Sequence, residues 1–197
     1  QAPHSKYQKG CRTATAFFTL ILYSLPDFHT LNFMGPHLIE IEKYSDALRE
    51  QVLSVWEKSV LATHHFLSRE DFIIIKNLLY KLDLNLFEIY CLTDNSRIAG
   101  FIALSGQKIE MLFLSPEYIG LGLGKRLIRF AVSDLEANLI DVNEQNTRAL
   151  QFYRKAGFEV FERTDTDDLG KNYPLLRMKL KSNKGIIQRL LGNKFPI

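Results

Sequence analysis

From residue 37 onward the apolar positions switch repeatedly between two periods. His37–Glu42 alternates apolar and polar residues, the period of a half-buried strand. Ser45 stands where it can cap a helix, and Leu48, Val52, Val55, Trp56 and Ser59 then share one helical face. Trp56 reads as core. The spacing predicts a second helix over 68–82. Phe87, Ile89 and Cys91 fall on one face of a strand, Asp94-Asn95-Ser96 is turn chemistry, and Ile98–Leu104 returns as the next strand. Gly106 turns the chain into a further strand, Lys108–Leu114. A glycine-rich stretch follows, then a helix over 122–136 with Leu123, Leu127, Phe130 and Ala131 among its apolar positions. Leu139–Val142 is a short strand, and Asn146–Lys155 a helix stopped by Gly157. Phe158–Arg163 and Tyr173–Leu180 are strands around the acidic loop TDTDDLGKN. The order β-α-α-β-β-β-α-β-α-β-β is that of an α/β chain with a mixed sheet, a single domain over 35–180.

Composition narrows the function classes. The chain has 197 residues, 46% of them hydrophobic, enough for one buried core. No apolar run approaches the roughly 18 residues that span a bilayer. Cys11 and Cys91 lie in unrelated contexts and form neither a metal spacing nor a disulfide framework, which fits a reducing compartment. The net charge of +3 is carried by the ends: residues 1–34 hold three basic groups and one acid, and 181–197 hold four basic groups and no acid. The middle is therefore acidic, without the basic, aromatic-laced patch of a nucleic-acid binder. Residues 181–197 read as a basic tail or docked terminal helix. Residues 1–34 read as an extension outside the functional domain, with Met34 just before the regular pattern begins. A secretion signal is the other reading, since Lys6, Lys9 and Arg12 precede the apolar run 14–25.

The stretch SPEYIGLGLGKRL (115–127) carries chemistry. Glycine-rich backbone feeding a helix N-terminus offers free N–H groups and the positive end of the helix dipole, an anion site whose usual guest is phosphate. Two phosphate motifs fail here. A nucleotide P-loop needs glycine at 119 and Ser or Thr at 126, where Ile119 and Arg126 stand. A dinucleotide fingerprint needs glycine at 125 or at 127, where Lys125 and Leu127 stand. A tight turn with no ligand is the remaining alternative to a third motif.

That third motif is the pyrophosphate loop of the GNAT acetyltransferases, [RQ]-x-x-G-x-[GA] after a strand and a Pro-acidic turn, which this stretch resembles. Gly122 and Gly124 match its glycines and Pro116-Glu117 the turn; Ile119 departs from its first position. A second, separate segment, NEQNTRALQFYRKAGFE, resembles the family's N-x-x-A-x-x-[FL]-Y-x-x-x-G-F. Asn146, Ala149, Phe152, Tyr153, Gly157 and Phe158 fall in register. Residues 146, 149, 150 and 153 share one helix face. The stretches SVLATHHFLS (59–68) and TDDLGKNYPLL (166–176) are similar to the small bacterial YjaB type, so the resemblance covers essentially all of 35–180.

The resemblance implies a GNAT-like, mixed, mostly antiparallel central sheet flanked by helices, and acetyl transfer from acetyl-CoA directly to a primary amine, on a small molecule or a peptide. It implies no metal, no nucleic-acid or membrane partner, and a cytoplasmic location. The coenzyme is expected in a splay between the strands 108–114 and 139–143. Its pantetheine pairs with backbone at Leu112 and Leu114, and its pyrophosphate lies on the amides of Gly120, Leu121, Gly122, Leu123, Gly124 and Lys125, with Arg126 as further positive charge. Tyr153 is implied as general acid for the departing thiolate, because phenol (about 10) and thiol (about 8.5) have neighbouring pKa values; the other reading is a core aromatic. Asn146 is a coenzyme contact, a helix N-cap, or both.

An alkylammonium cannot attack, so its proton needs an acceptor. Glu110 is the first choice and Asp141 its rival on the neighbouring strand; direct loss to water, with no dedicated base, stays open. His64 and His65 border the expected acceptor pocket as base or acceptor contact, or are surface and capping histidines. Tyr173 lines the same pocket or is an ordinary strand tyrosine. The acidic loop is either an attraction for a cationic amine or merely solvated. A non-catalytic acyl-CoA-binding module is the competing function.

Overall fold

The computed structural model describes residues 39–181. The readings of 1–34 as an extension and of the basic tail beyond Lys181 lie outside the described residues, as do Cys11 and the first two residues of the strand predicted over 37–42.

Eleven regular elements follow in the predicted order. They are β1 (Ile39–Lys43), α1 (Arg49–Thr63), α2 (Arg69–Lys81), β2 (Glu88–Asp94), β3 (Arg97–Ser105), β4 (Lys108–Leu114), α3 (Leu123–Asp134), β5 (Leu139–Asn143), α4 (Thr147–Lys155), β6 (Phe158–Thr164) and β7 (Leu175–Leu180). The strands form one mixed sheet in the order β1-β2-β3-β4-β5-β7-β6. Every neighbouring pair is antiparallel except β4 with β5.

The core lies on both faces of this sheet, and β3 shows why. Its seven residues Ile98–Leu104 are all buried. Ile98, Phe101 and Ala103 face a cluster with Val52, Leu53 and Trp56 of α1. Ala99, Ile102 and Leu104 face the other cluster, with Leu127, Ile128 and Ala131 of α3. A strand buried on both sides must be apolar throughout. Trp56 is core, as expected, stacked on Phe72 of α2 with ring centroids 5.8 Å apart.

Element ends differ from the sequence reading by one or two residues, and two of these differences have a visible cause. Ser45 does not cap α1: a 3-10 turn (Asp46–Leu48) intervenes, and Ser45 makes no side-chain cap bond. Arg49 instead opens α1 and donates to the carbonyls of Tyr80 and Leu82 at the end of α2. The last strand begins at Leu175 rather than Tyr173, because Pro174 has no N–H to give a ladder. Its carbonyl still accepts from Glu144 N.

Candidate functional site

The parallel seam between β4 and β5 is short. Lys108 pairs with Leu139 and Ile109 with Ile140, and pairing stops there. Beyond that point β4 keeps β3 on one edge, up to Gly100 opposite Leu114, while β5 turns its other edge to β7. Among the described residues the edge of β4 that faces β5 has no partner strand beyond that point, and a cleft of about 440 Å³ opens there. Unpaired backbone beside a cleft is a demand for a hydrogen-bonding guest.

Gly100 sets how closely the end of β4 lies against β3. A Cβ there would clash with Leu114 Cδ2 and meet the Phe113 carbonyl at 2.7 Å. Past Leu114 the chain is pinned before it becomes glycine-rich. Ser115 N donates to Ala99 O, Ser115 Oγ to Glu117 Oε2 (2.7 Å), and Tyr118 Oη to Asp94 Oδ2 (2.8 Å). Gly120 and Gly122 then take φ of +93° and +82°, a region that side-chain-bearing residues rarely adopt. Gly122 is the N-cap of α3 and has no side chain to cap it, and among the described residues no side-chain cap bond is made. The first N–H groups of α3 are thereby left for an anion.

α4 begins differently. Asn146 caps it, its Oδ1 accepting from Ala149 N at 3.1 Å. The Asn146 Nδ2 reaches His64 Nε2 at 3.5 Å across the cleft. Tyr153, about two turns further along the same face of α4, is 7% exposed and lies edge-on to Phe152 and Phe158. Burial pushes its phenol above the ordinary value, so the side chain stays protonated at neutral pH, and its gap to a thiol is wider than free-solution values give.

Among the residues expected to form the site, Glu110, Leu112, Leu114, Gly120, Gly122, Gly124, Lys125, Asn146 and Tyr153 all line this cleft, as does Asp141. Leu121 and Leu123 do not: Leu121 is exposed and Leu123 is buried in the core, so either has only backbone to offer. Arg126 turns away, donating to the Ile39 carbonyl of β1. Arg148, which the sequence reading missed, lines the cleft from the first turn of α4. Its signal was its place within that turn, one residue before Ala149. His64 lines the cleft with Thr63, whereas His65 is exposed. Tyr173 is not in the cleft wall. It packs on Phe66, donates to Asp71 Oδ2 (2.7 Å) and accepts from Ser68 N (3.1 Å).

The carboxylates are unequally held. Lys108, in the first pair of the β4–β5 seam, reaches Glu110 at 3.1 Å and Asp141 at 3.0 Å. Asp141 has a second cation, Arg177, at 3.1 Å. The acidic loop is tied to its own backbone and to the flanking strands: Asp167 Oδ1 accepts from Leu169 N and Lys171 N, Asp168 pairs with Arg177 of β7 and Asp165 with Arg163 of β6. Cys91 is a buried thiol whose pKa burial pushes up to about 12, which leaves it unreactive. Among the described residues no group of three or more His, Cys, Asp or Glu is placed to hold a metal, and no helix is long and apolar enough to cross a membrane.

The model of the acetyltransferase (GNAT) domain matches residues 80–182. The peptidyl-lysine N-acetyltransferase YjaB of Salmonella typhimurium is 36% identical over 141 residues, 72% of this chain and 97% of that protein. The chain belongs to the GNAT acetyltransferase family. The solution structure of apo-form YjaB from Escherichia coli matches with a TM-score of 0.68 at 35% identity, over 74% of this chain and 99% of that one. The crystal structure of PaiA N-acetyltransferase from Thermoplasma acidophilum in complex with coenzyme A shares the fold, with a TM-score of 0.56 at 24% identity over 73% of this chain and 99% of that one. The mixed, mostly antiparallel sheet read from the sequence is thus a GNAT sheet, and the chemistry of the family is acetyl transfer.

Proposed function

We propose that this protein transfers an acetyl group from acetyl-CoA to the side-chain amine of a lysine in a peptide, with Tyr153 and Glu110 moving the protons. The observation that carries this reading is convergence. The free edge of β4, the uncapped N-terminus of α3, Tyr153 and Glu110 all open onto one cleft. The lysine acceptor follows the name of the YjaB relative.

These residues fit the coenzyme. The unpaired edge at Leu112 and Leu114 suits the amides of an extended pantetheine arm. The backbone N–H groups of 120–125 suit the pyrophosphate, with Lys125 and Arg148 as the cations at the cleft. Main-chain donors hold phosphate without any side chain, so Ile119 in place of Arg or Gln removes one contact and leaves the cradle. When bound, acetyl-CoA supplies the acetyl group as a thioester and leaves as a thiol.

Glu110 takes the proton of the acceptor's ammonium, directly or through one water, and passes it to solvent. Glu110 suits this better than Asp141, which two cations hold. As the C–N bond forms, the nitrogen loses its second proton to solvent, and as the C–S bond breaks Tyr153 gives its phenolic proton to sulfur and is reprotonated from solvent. Asn146 holds the start of α4, and so the position of Tyr153, through its cap.

The test is the melting temperature with excess acetyl-CoA, using ATP and NAD as controls, followed by thiol release with a lysine peptide. Ligand at about a hundred times Kd adds roughly 2.7 kcal/mol, and a domain of this size gains about 2–4 °C per kcal/mol. A rise of several degrees with acetyl-CoA alone, together with lysine-dependent thiol release, is expected. A flat response to acetyl-CoA would overturn the reading.

A further inference from the structure

His64 ends α1, with its N–H on the Val60 carbonyl, and its ring enters the cleft between Phe66 and Phe113. The hydrogen bonds around that ring fix its tautomer from two independent sides. On one side, Thr63 Oγ1 lies 2.6 Å from the Ser59 carbonyl and 2.8 Å from His64 Nδ1. A carbonyl only accepts and a hydroxyl has a single proton, so the Thr63 proton goes to Ser59 O and Nδ1 must be the N–H that donates to Thr63. On the other side, Asn146 Oδ1 is committed to Ala149 N, which turns the amide NH2 toward His64 Nε2 at 3.5 Å. An NH2 group only donates, so Nε2 must carry the lone pair. Both sides require the same neutral imidazole.

We infer that His64 Nε2 is the atom that accepts a hydrogen bond from the attacking amine and aims that amine's lone pair at the thioester. The Asn146 contact, at 3.5 Å, is long for a hydrogen bond, so an amine N–H competes for Nε2 at little cost. Thr63 and Ser59 keep the ring from flipping or changing tautomer as the acceptor arrives. Glu110 lines the same cleft, so one nitrogen can meet an imidazole that orients it and a carboxylate that deprotonates it. A histidine at a helix C-terminus would ordinarily be pushed toward its charged form. Here burial dominates, with His65 adding to it, and the pKa falls to about 4, so the lone pair stays available at neutral pH.

The inference rests on the acetyl-transfer reading, and its test separates the two. Wild type, His64→Leu, His64→Gln and Thr63→Val are compared for kcat/KM toward a lysine peptide and for the melting shift with acetyl-CoA. His64→Leu is expected to lose about tenfold or more in kcat/KM for the peptide while keeping the acetyl-CoA shift, since a lost hydrogen bond and a misaimed nucleophile both slow the step. His64→Gln, whose carbonyl oxygen can stand near Nε2, is expected to recover part of the loss. The 15N spectrum of the histidine ring should show an unprotonated Nε2 in wild type and a mixture of tautomers in Thr63→Val. Full kcat/KM in His64→Leu, or a protonated Nε2 in wild type, would overturn this inference alone. A wild type that transfers no acetyl group overturns it together with the reading beneath it.

Discussion

The two ends of the cleft are built from different materials. At the glycine-loop end the wall is main chain. Gly122 starts α3 without a cap, Gly120 and Gly122 sit at positive φ, and Arg126, the nearby arginine, looks elsewhere. At the other end the wall is side chain bonded to side chain. Thr63, His64 and Asn146 form one chain of contacts in that wall, and behind it, outside the cleft, Ser68, Asp71, Lys171 and Tyr173 form another, linked to His64 through Phe66. The difference teaches a division of labour. Backbone donors recognise what every phosphate has in common, while an arrangement of side chains can be particular to one acceptor.

The largest effect should come from the residue between the two ends. Tyr153→Phe keeps the ring packing and removes only the hydroxyl. Turnover by thiol release is expected to fall about 10²- to 10⁴-fold, with the acetyl-CoA melting shift intact. If the shift vanished with the turnover, the hydroxyl would belong to the coenzyme end.

Next in size, Gly122→Val forces a β-branched residue to a φ of +82°. The strain costs about 1–3 kcal/mol, and with the loop displaced the acetyl-CoA shift should be lost. Retained acetyl-CoA binding in this variant would break the claim that main chain does the recognising.

Behind the cleft wall, where Tyr173 supports His64 through Phe66, Tyr173→Phe leaves the Ser68 N–H and the Asp71 carboxylate each short of a partner. A higher KM for the peptide is expected, with acetyl-CoA binding unchanged. The same variant has a pH signature. Tyr173, then Lys171 and Ser68, hold the Asp71 pKa down to about 2 from its ordinary 3.8. A depressed carboxylate stabilises the fold fully above 3.8, and that contribution disappears as pH falls through 2. The stability gap between wild type and Tyr173→Phe should therefore be constant above about pH 5 and shrink below it, as denaturant titrations at several pH values would read.

The smallest effect sharpens the comparison by its absence. Arg126→Ala should leave acetyl-CoA affinity within about twofold, by titration calorimetry, because its guanidinium already serves the Ile39 carbonyl.

The same contrast explains what could be read from the sequence. Alternation in β1–β4 and the glycine spacing are local signals, and they placed the strands, the loop and α3 to within a few residues. Ile98–Leu104 is apolar without a break because both faces of β3 are covered, which single-residue periods express directly. The His64 end of the cleft and the bonds behind it escaped because they join residues 82, 102 and 105 positions apart. Nothing local in THH tells which histidine enters the cleft; that depends on where α4 brings Asn146. Likewise the sequence left the acidic loop as either an attraction for an amine or merely solvated, and only the pairing of β6 with β7 brings Asp168 to Arg177. Arg126 and Arg148 show the same limit in opposite directions, one turned from the cleft and one brought to it.

The seam between β4 and β5 has a mechanical meaning. Two residue pairs join a four-stranded leaf, β1 to β4, to a three-stranded leaf of β5, β7 and β6. Such a sheet resembles a book with a short spine. A molecule lying along the free margin of β4 and against α4 would touch both leaves, acting as a bookmark that sets how far the pages stand apart. Stiffness at this spine would then be a property of the loaded protein more than of the empty one.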